Sequence, residues 1–210
     1  MPERVQKGQG TMRAFTFENA TKIYFGGGCV KEHLLEAVKP YGETVMLAYG
    51  GGSIKTNGIY QEVMDVLKLA GKQVIEFSGI MPNPTYSKVM EGKKVVQENQ
   101  VDLILAVGGG SVMDCSKAIS MAAATDKDVW EEYWIKKGEI DFEPVPVGVI
   151  VTVVGTGSEV NGEGVITHEE QKIKTSRNYP RCNPVFAMMD PKYTYTVSPL
   201  QTAAGGFDML

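Results

Sequence analysis

Leu47-Ala-Tyr-Gly-Gly-Gly-Ser-Ile54 recurs almost letter for letter as Leu105-Ala-Val-Gly-Gly-Gly-Ser-Val112. Each copy is a short apolar run, then three glycines and a serine, then a segment with helical spacing. Glycine lacks Cβ, so such a turn lets backbone N–H groups close on an anion at a helix start, where the dipole also favours negative charge. One such loop is a weak signal. Two of them, each between a strand and a helix, point to a grip on two parts of a phosphate-bearing ligand.

On either side of the two loops, strand-like and helix-like segments keep alternating. Phe15, Phe17, Ile23 and Phe25 stand among polar residues, which reads as extended, edge-like structure over Phe15–Phe25. Gly26-Gly-Gly28 opens a helix with Val30, Leu34, Ala37 and Val38 on one face. Val45–Tyr49 is a buried-type strand. The helix after the first loop carries Ile59, Val63, Val66, Leu67 and Ala70, with Gly71 as its C-cap. A strand at Val74–Phe77, the rigid loop Pro82-Asn-Pro84, a helix over Ser87–Asn99 and a strand at Leu103–Val107 follow. Beyond the second loop a helix runs through Asp114, Ile119 and Ala123. Asp126–Glu143, charged and aromatic, reads as a surface helix or excursion, its Trp130–Trp134 cluster suited to packing or an oligomer contact. Val147–Val153 and Val185–Asp190 are strands, and Val165–His168 with Ile173–Thr175 flank a hairpin turn.

Strands alternating with helices imply right-handed crossovers and a parallel α/β sheet, whose ligands sit at the carboxyl ends of the strands. Both Gly-Gly-Gly-Ser loops fall there. With a net charge of −4 and scattered Lys and Arg, the chain lacks a nucleic-acid surface, so any anion is bound locally. No apolar run reaches the roughly 20 residues that span a bilayer. Cys29, Cys115 and Cys182 lie far apart without a CxxC, which makes reduced thiols in the cytoplasm the default. Residues 1–11 read as a disordered leader, and 12–198 as one domain.

Taken in order, Gly108-Gly-Gly-Ser-Val-Met-Asp114-Cys-Ser-Lys117, Thr152-Val-Val-Gly-Thr-Gly-Ser-Glu159, Asp190-Pro191 and Gly206-Phe-Asp208 resemble the iron-type (group III) alcohol dehydrogenases. Pro82-Asn-Pro84 and Pro191-Lys-Tyr-Thr-Tyr-Thr196 are similar to the butanol dehydrogenase and NADPH-dependent aldehyde reductase branch. The resemblance implies a Rossmann-like parallel sheet flanked by helices that binds a nicotinamide dinucleotide, followed by a helical metal-binding domain that would begin near 199–210. It places Gly109, Gly110 and Ser111 at the pyrophosphate, and Asp114 toward the nicotinamide-side ribose. Thr152 and Thr156 would line the nicotinamide and phosphate region, Asn161 and Lys174 its rim, and Asn83 the adenosine half.

An acid on the adenosine ribose repels a 2′-phosphate. Gly51, Gly52 and Ser53 offer none, and Ser53 with nearby Lys55 suits a phosphate, so NADP(H) is favoured over NAD(H). By the resemblance Asp208 is the first ligand of a divalent metal, iron or zinc. His33 and His168, the only histidines, lie at no ligand position. One carboxylate falls short of the roughly three protein ligands of a catalytic metal. The expectation is a cofactor-binding portion of an oxidoreductase passing hydride between NADP(H) and a small alcohol or aldehyde, inactive as these 210 residues alone. A dehydroquinate synthase-like or glycerol-phosphate dehydrogenase enzyme, and a non-catalytic nucleotide-binding fragment, stay open. The expected partners are that substrate and, through the Phe15–Phe25 edge, a second copy in a homodimer; no nucleic acid or membrane is expected.

Overall fold

The computed structural model describes Thr16 and residues 18–209. Phe15 and Phe17 of the expected edge segment, and the expected leader, lie outside them. The chain runs β1 (Lys22–Phe25), α1 (Cys29–Val38), β2 (Thr44–Tyr49), α2 (Ser53–Thr56), α3 (Ile59–Leu69), β3 (Gln73–Phe77), α4 (Tyr86–Glu98), β4 (Leu103–Gly108) and α5 (Gly110–Ala123). A π-helical turn at Trp130–Ile135 follows, then β5 (Val147–Val151), β6 (Glu163–His168), β7 (Ile173–Asn178), β8 (Phe186–Met189) and α6 (Pro199–Asp208). Six strands form one parallel sheet in the order β1-β8-β5-β4-β2-β3, and β6 and β7 make a separate antiparallel hairpin.

The strands read as continuous apolar runs because helices cover both faces. Side chains alternate across the sheet with period two. Met46, Ala48, Ile104, Ala106, Val147 and Val149 pack on the α4/α5 side. Val45, Leu47, Tyr49, Leu103, Leu105, Val107 and Ile150 pack on the α1/α3 side. Burying each such side chain fully contributes about 1.5–3 kcal/mol before conformational entropy is subtracted.

Sheet order explains where a ligand can enter. From β2 the chain crosses to β3 on one side; from β4 it crosses to β5 on the other. The crevice between the carboxyl ends of β2 and β4 is therefore the topological switch point of the sheet. The two copies of the repeat occupy those two neighbouring strands in register, Leu47 opposite Leu105, Ala48 opposite Ala106 and Tyr49 opposite Val107. The glycine loops emerge side by side.

One local expectation needs correction. The Asp126–Glu143 stretch is no surface helix at its centre: Trp130, Tyr133 and Trp134 are buried. Trp130 Nε1 donates to Gln171, and Trp134 Nε1 donates to the Gly164 carbonyl, so the aromatic turn anchors the hairpin. The helix expected through Ile59, Val63, Val66 and Leu67 is found as α3, set back from the first loop. A single turn, α2, and a left-handed Gly58 intervene before α3 begins.

Candidate dinucleotide-binding site

The second loop carries the more fully built half of the site. Gly109 stands at the N-cap of α5 with extended backbone, and no side chain caps that end. A 14-residue helix therefore presents free first-turn N–H groups at the switch point. Side-chain room there is closed. A Cβ on Gly110 would lie 2.7 Å from Thr156 Oγ1, and one on Gly109 would lie 3.1 Å from Val153 Cβ. Thr152 is tied to the loop by its N–H, which donates to the Gly108 carbonyl at 3.0 Å. Gly109, Gly110, Ser111, Thr152 and Thr156 are thus brought together around the start of α5.

The segment holding Thr156 is pinned from inside. Lys117, one turn along α5 from Asp114, is 2% exposed, and its ammonium donates to four oxygens. These are the Ser158 carbonyl (3.0 Å) and hydroxyl (2.8 Å) and the Asn161 carbonyl (3.1 Å) and Oδ1 (3.3 Å). Asp114 completes the network. Its Oδ1 accepts from the Ser158 hydroxyl at 2.6 Å, its Oδ2 accepts from the Val165 N–H at 3.2 Å, and Lys117 Nζ lies 3.7 Å away. Burial pushes the Asp114 carboxyl above its usual range and the Lys117 ammonium below its own, desolvation outweighing their mutual attraction in each.

Both Asp114 oxygens are therefore engaged within the protein. Asn161 Oδ1 likewise faces inward, to Lys117 and the Glu163 N–H. Lys117 and Ser158, which the sequence reading gave no role, hold this half together. The Asp114-x-x-Lys117 spacing on one helix face was the available signal.

Asn83 of the loop after β3 and Lys174 of β7 meet each other. Lys174 Nζ donates to Asn83 Oδ1 at 2.6 Å, and the Thr167 N–H donates to the Pro84 carbonyl at 2.9 Å. The hairpin is thereby fastened to the Pro-Asn-Pro loop. Asn83 takes a left-handed φ of 55°, which asparagine tolerates better than most residues.

The first loop is open by contrast. Gly51 and Ser53 are exposed, and no heavy atom lies within 4 Å of a Cβ placed on Gly51 or Gly52. The loop itself has no acid, but the neighbouring strand brings one. Glu76 of β3 accepts from the Tyr49 and Tyr60 hydroxyls, the latter at 2.6 Å, and from Lys55 Nζ at 2.9 Å. Those hydrogen bonds, Tyr49 first, hold its carboxyl down to about 2. The reading that no acid stands beside this loop is corrected accordingly.

Asp208 is exposed on α6. That helix rests through Gly205 on the Val154–Gly155 segment: a Cβ on Gly205 would lie 2.6 Å from the Val154 carbonyl oxygen. A Cβ on Gly155 would lie 3.7 Å from Asp208 Cβ, so the carboxylate is carried beside the third loop. Among the described residues no group of three or more His, Cys, Asp or Glu side chains converges on a common point. The described residues do not by themselves fit a metal.

A parallel sheet with an uncapped, glycine-lined helix start at its switch point defines a dinucleotide-binding α/β domain. The chain belongs to the iron-containing alcohol dehydrogenase family, whose model matches residues 20–191. It is 44% identical over 199 residues to a probable NADH-dependent butanol dehydrogenase 1 of Bacillus subtilis, covering 95% of this chain and 51% of that one. It is 39% identical over 198 residues to the NADPH-dependent aldehyde reductase YqhD of Escherichia coli, covering 94% and 50%. The NADH-dependent butanol dehydrogenase A of Thermotoga maritima superimposes with a TM-score of 0.87 at 38% identity, over 94% of this chain and 49% of that one. The chain spans about half the length of the curated relatives it matches. No helix among the described residues is long and apolar enough to cross a membrane.

Proposed function

We propose that this chain is the cofactor-binding part of an oxidoreductase that passes hydride between NADP(H) and a small alcohol or aldehyde. The observation that carries the reading is the uncapped start of α5, closed on one side by Thr156 and placed at the switch point. It fits a pyrophosphate because a Cβ at Gly110 would fill the space against Thr156, and free N–H groups there want an anion. The dinucleotide, when bound, supplies the hydride chemistry.

The chain's own residues bind and orient. Gly109, Gly110 and Ser111 offer N–H groups to the pyrophosphate, and Thr152 and Thr156 line the neighbouring wall. Asn83 and Lys174, clasped together, border the adenosine half, and Gly51, Gly52 and Ser53 face its ribose. Asp114, Lys117, Ser158 and Asn161 act by positioning, since they hold the third loop against the cradle. Asp208, one carboxylate beside that loop, does not hold a divalent metal without further ligands, and none converges on it among the described residues. Relatives named for NADH and for NADPH both resemble the chain. NADP(H) is the reading favoured by a first loop that carries no acid of its own.

Titration of nicotinamide fluorescence with NADPH and NADH tests this. Saturable binding of a reduced dinucleotide, abolished by Gly110→Asp, is the expected result. No binding of either one overturns the proposal. The homodimer belongs to the same reading, with β1 at the sheet edge and Ile23 and Phe25 exposed on it as the seam. Sedimentation of Phe25→Lys as a monomer beside a dimeric wild type would bear it out.

A further inference from the structure

Glu76, Lys55, Tyr49 and Tyr60 form a polar knot that core packing does not require. Parity along β3 puts Glu76 on the same sheet face as its partner Leu47, hence as Tyr49, and that is the face α3 covers with Tyr60. Lys55 reaches it from α2, the turn that the first glycine loop opens. Its ammonium sits 2.9 Å from Glu76 Oε2, 4.5 Å over the Tyr60 ring centre and 5.3 Å from that of Tyr49. Both charged side chains are largely in solvent, 46% and 40% exposed. An exposed pair of this kind contributes little to stability. Three donors converging on one carboxylate fix where its charge sits, and the cation–π contacts fix the ammonium.

We infer that Glu76 and Lys55 are a compensated charge pair that sets the choice between a 2′-hydroxyl and a 2′-phosphate on the adenosine ribose. The inference rests on the proposed placement of that ribose at Gly51–Ser53. An acid at the end of a neighbouring strand is what disfavours a 2′-phosphate in a dinucleotide site. Here Lys55 cancels that acid, so the carboxylate alone does not govern the loop. The pair leaves the site tolerant of both dinucleotides, and each member pulls the choice its own way when the other is removed. A 2′-phosphate brings nearly two further negative charges. At separations of several ångströms in a solvated site, one uncompensated unit charge changes its relative affinity by about three- to tenfold.

The test uses the protein expressed from its complete reading frame, with dissociation constants for NADPH and NADH read by fluorescence at low and high salt. Glu76→Gln keeps the shape and frees the cation; it should raise the preference for NADPH by about three- to tenfold. Lys55→Met should move the ratio as far toward NADH, with Lys55→Arg restoring it. Both shifts should shrink at high salt. Ratios that stay within twofold of wild type in both variants, or that move the same way in both, overturn the inference while dinucleotide binding persists. Loss of all binding in the wild type would instead sink the proposed function. Circular dichroism and the thermal midpoint separate a misfolded variant from a reselected one. Tyr60→Phe, which removes one donor and keeps the ring, gives a smaller shift toward NADH in a fold that retains its packing.

Discussion

The two Gly-Gly-Gly-Ser loops share their letters and their level in the sheet, yet they are built for different work. The second opens a helix of 14 residues whose interior is almost wholly buried, including Asp114, Ser116, Lys117 and Ser120. Its glycines are pressed against Val112, Val153 and Thr156. The first opens a single turn, with left-handed glycines at 52 and 58 on either side and open space around Gly51. A repeated loop thus gives repeated backbone, while the residues after it decide what the backbone can hold. Asp114-x-x-Lys117 ties the second loop to the third. Lys55, two residues after the first loop's serine, reaches sideways to a strand acid instead.

That difference can be broken most forcibly at the buried network. Lys117→Met removes the cation that reaches the Ser158 and Asn161 oxygens and takes from the buried Asp114 carboxylate its counter-charge among the described residues. Breaking a buried pair in this way costs about 3–5 kcal/mol, read as a fall in denaturant midpoint at unchanged slope. Lys55→Met, which removes the cation paired to an acid beside the first loop, should leave the midpoint where it is. Equal destabilisation by the two would erase the distinction between the loops.

A milder comparison pairs two glycines. In Gly110→Ala the new Cβ meets Thr156 Oγ1, which already accepts from the Ser158 N–H at 3.3 Å, so the side chain cannot turn away freely. Overpacking of this size costs about 1 kcal/mol, and reduced-dinucleotide affinity should fall roughly tenfold, in line with the distortion of a preorganised cradle. Gly51→Ala meets nothing, and its φ lies outside the left-handed region. Its stability should stay within about 0.5 kcal/mol of wild type. A Gly51 variant as damaging as the Gly110 one would show the first loop to be equally tight.

The strands and helices of this fold were legible in the sequence because each carries its own periodicity. Ile59, Val63, Val66 and Leu67 show a helix face without reference to anything distant, and all are buried. That both loops lie at the carboxyl ends of strands was legible for the same reason, while their adjacency came only from the β2–β4 pairing. Tertiary pairing was not. Glu76 reads as one charged residue in a short strand until β2 and α3 put two tyrosines around it. Asp114 reads as a first-turn helix acid until the hairpin brings the Val165 N–H to its other oxygen. The Trp130 and Trp134 indoles read as packing or oligomer-contact residues with no partner in view, and the docked hairpin supplies their hydrogen-bond acceptors. Contacts across 16 to 51 residues leave no spacing to read.

The weakest effect, and the one that isolates the first loop, is in acid. Glu76 has its carboxyl held down to about 2 by the hydrogen bonds of Tyr49, Tyr60 and Lys55, against an ordinary value of 4.5. A carboxylate depressed on folding contributes stability that is present above the unfolded value and is lost as pH falls through the folded one. Between pH 4.5 and 2 wild type should therefore lose stability more steeply than Glu76→Gln, and above pH 5 the two profiles should run parallel. Solvent around the pair keeps the difference small. The Asp114–Lys117 network has the opposite sign at its acid, since burial raises that pKa and favours the protonated form as pH falls. A Glu76→Gln profile as steep as wild type from pH 4.5 to 2 would mean that the knot beside the first loop fixes no charge, and the contrast between the loops would rest on packing alone.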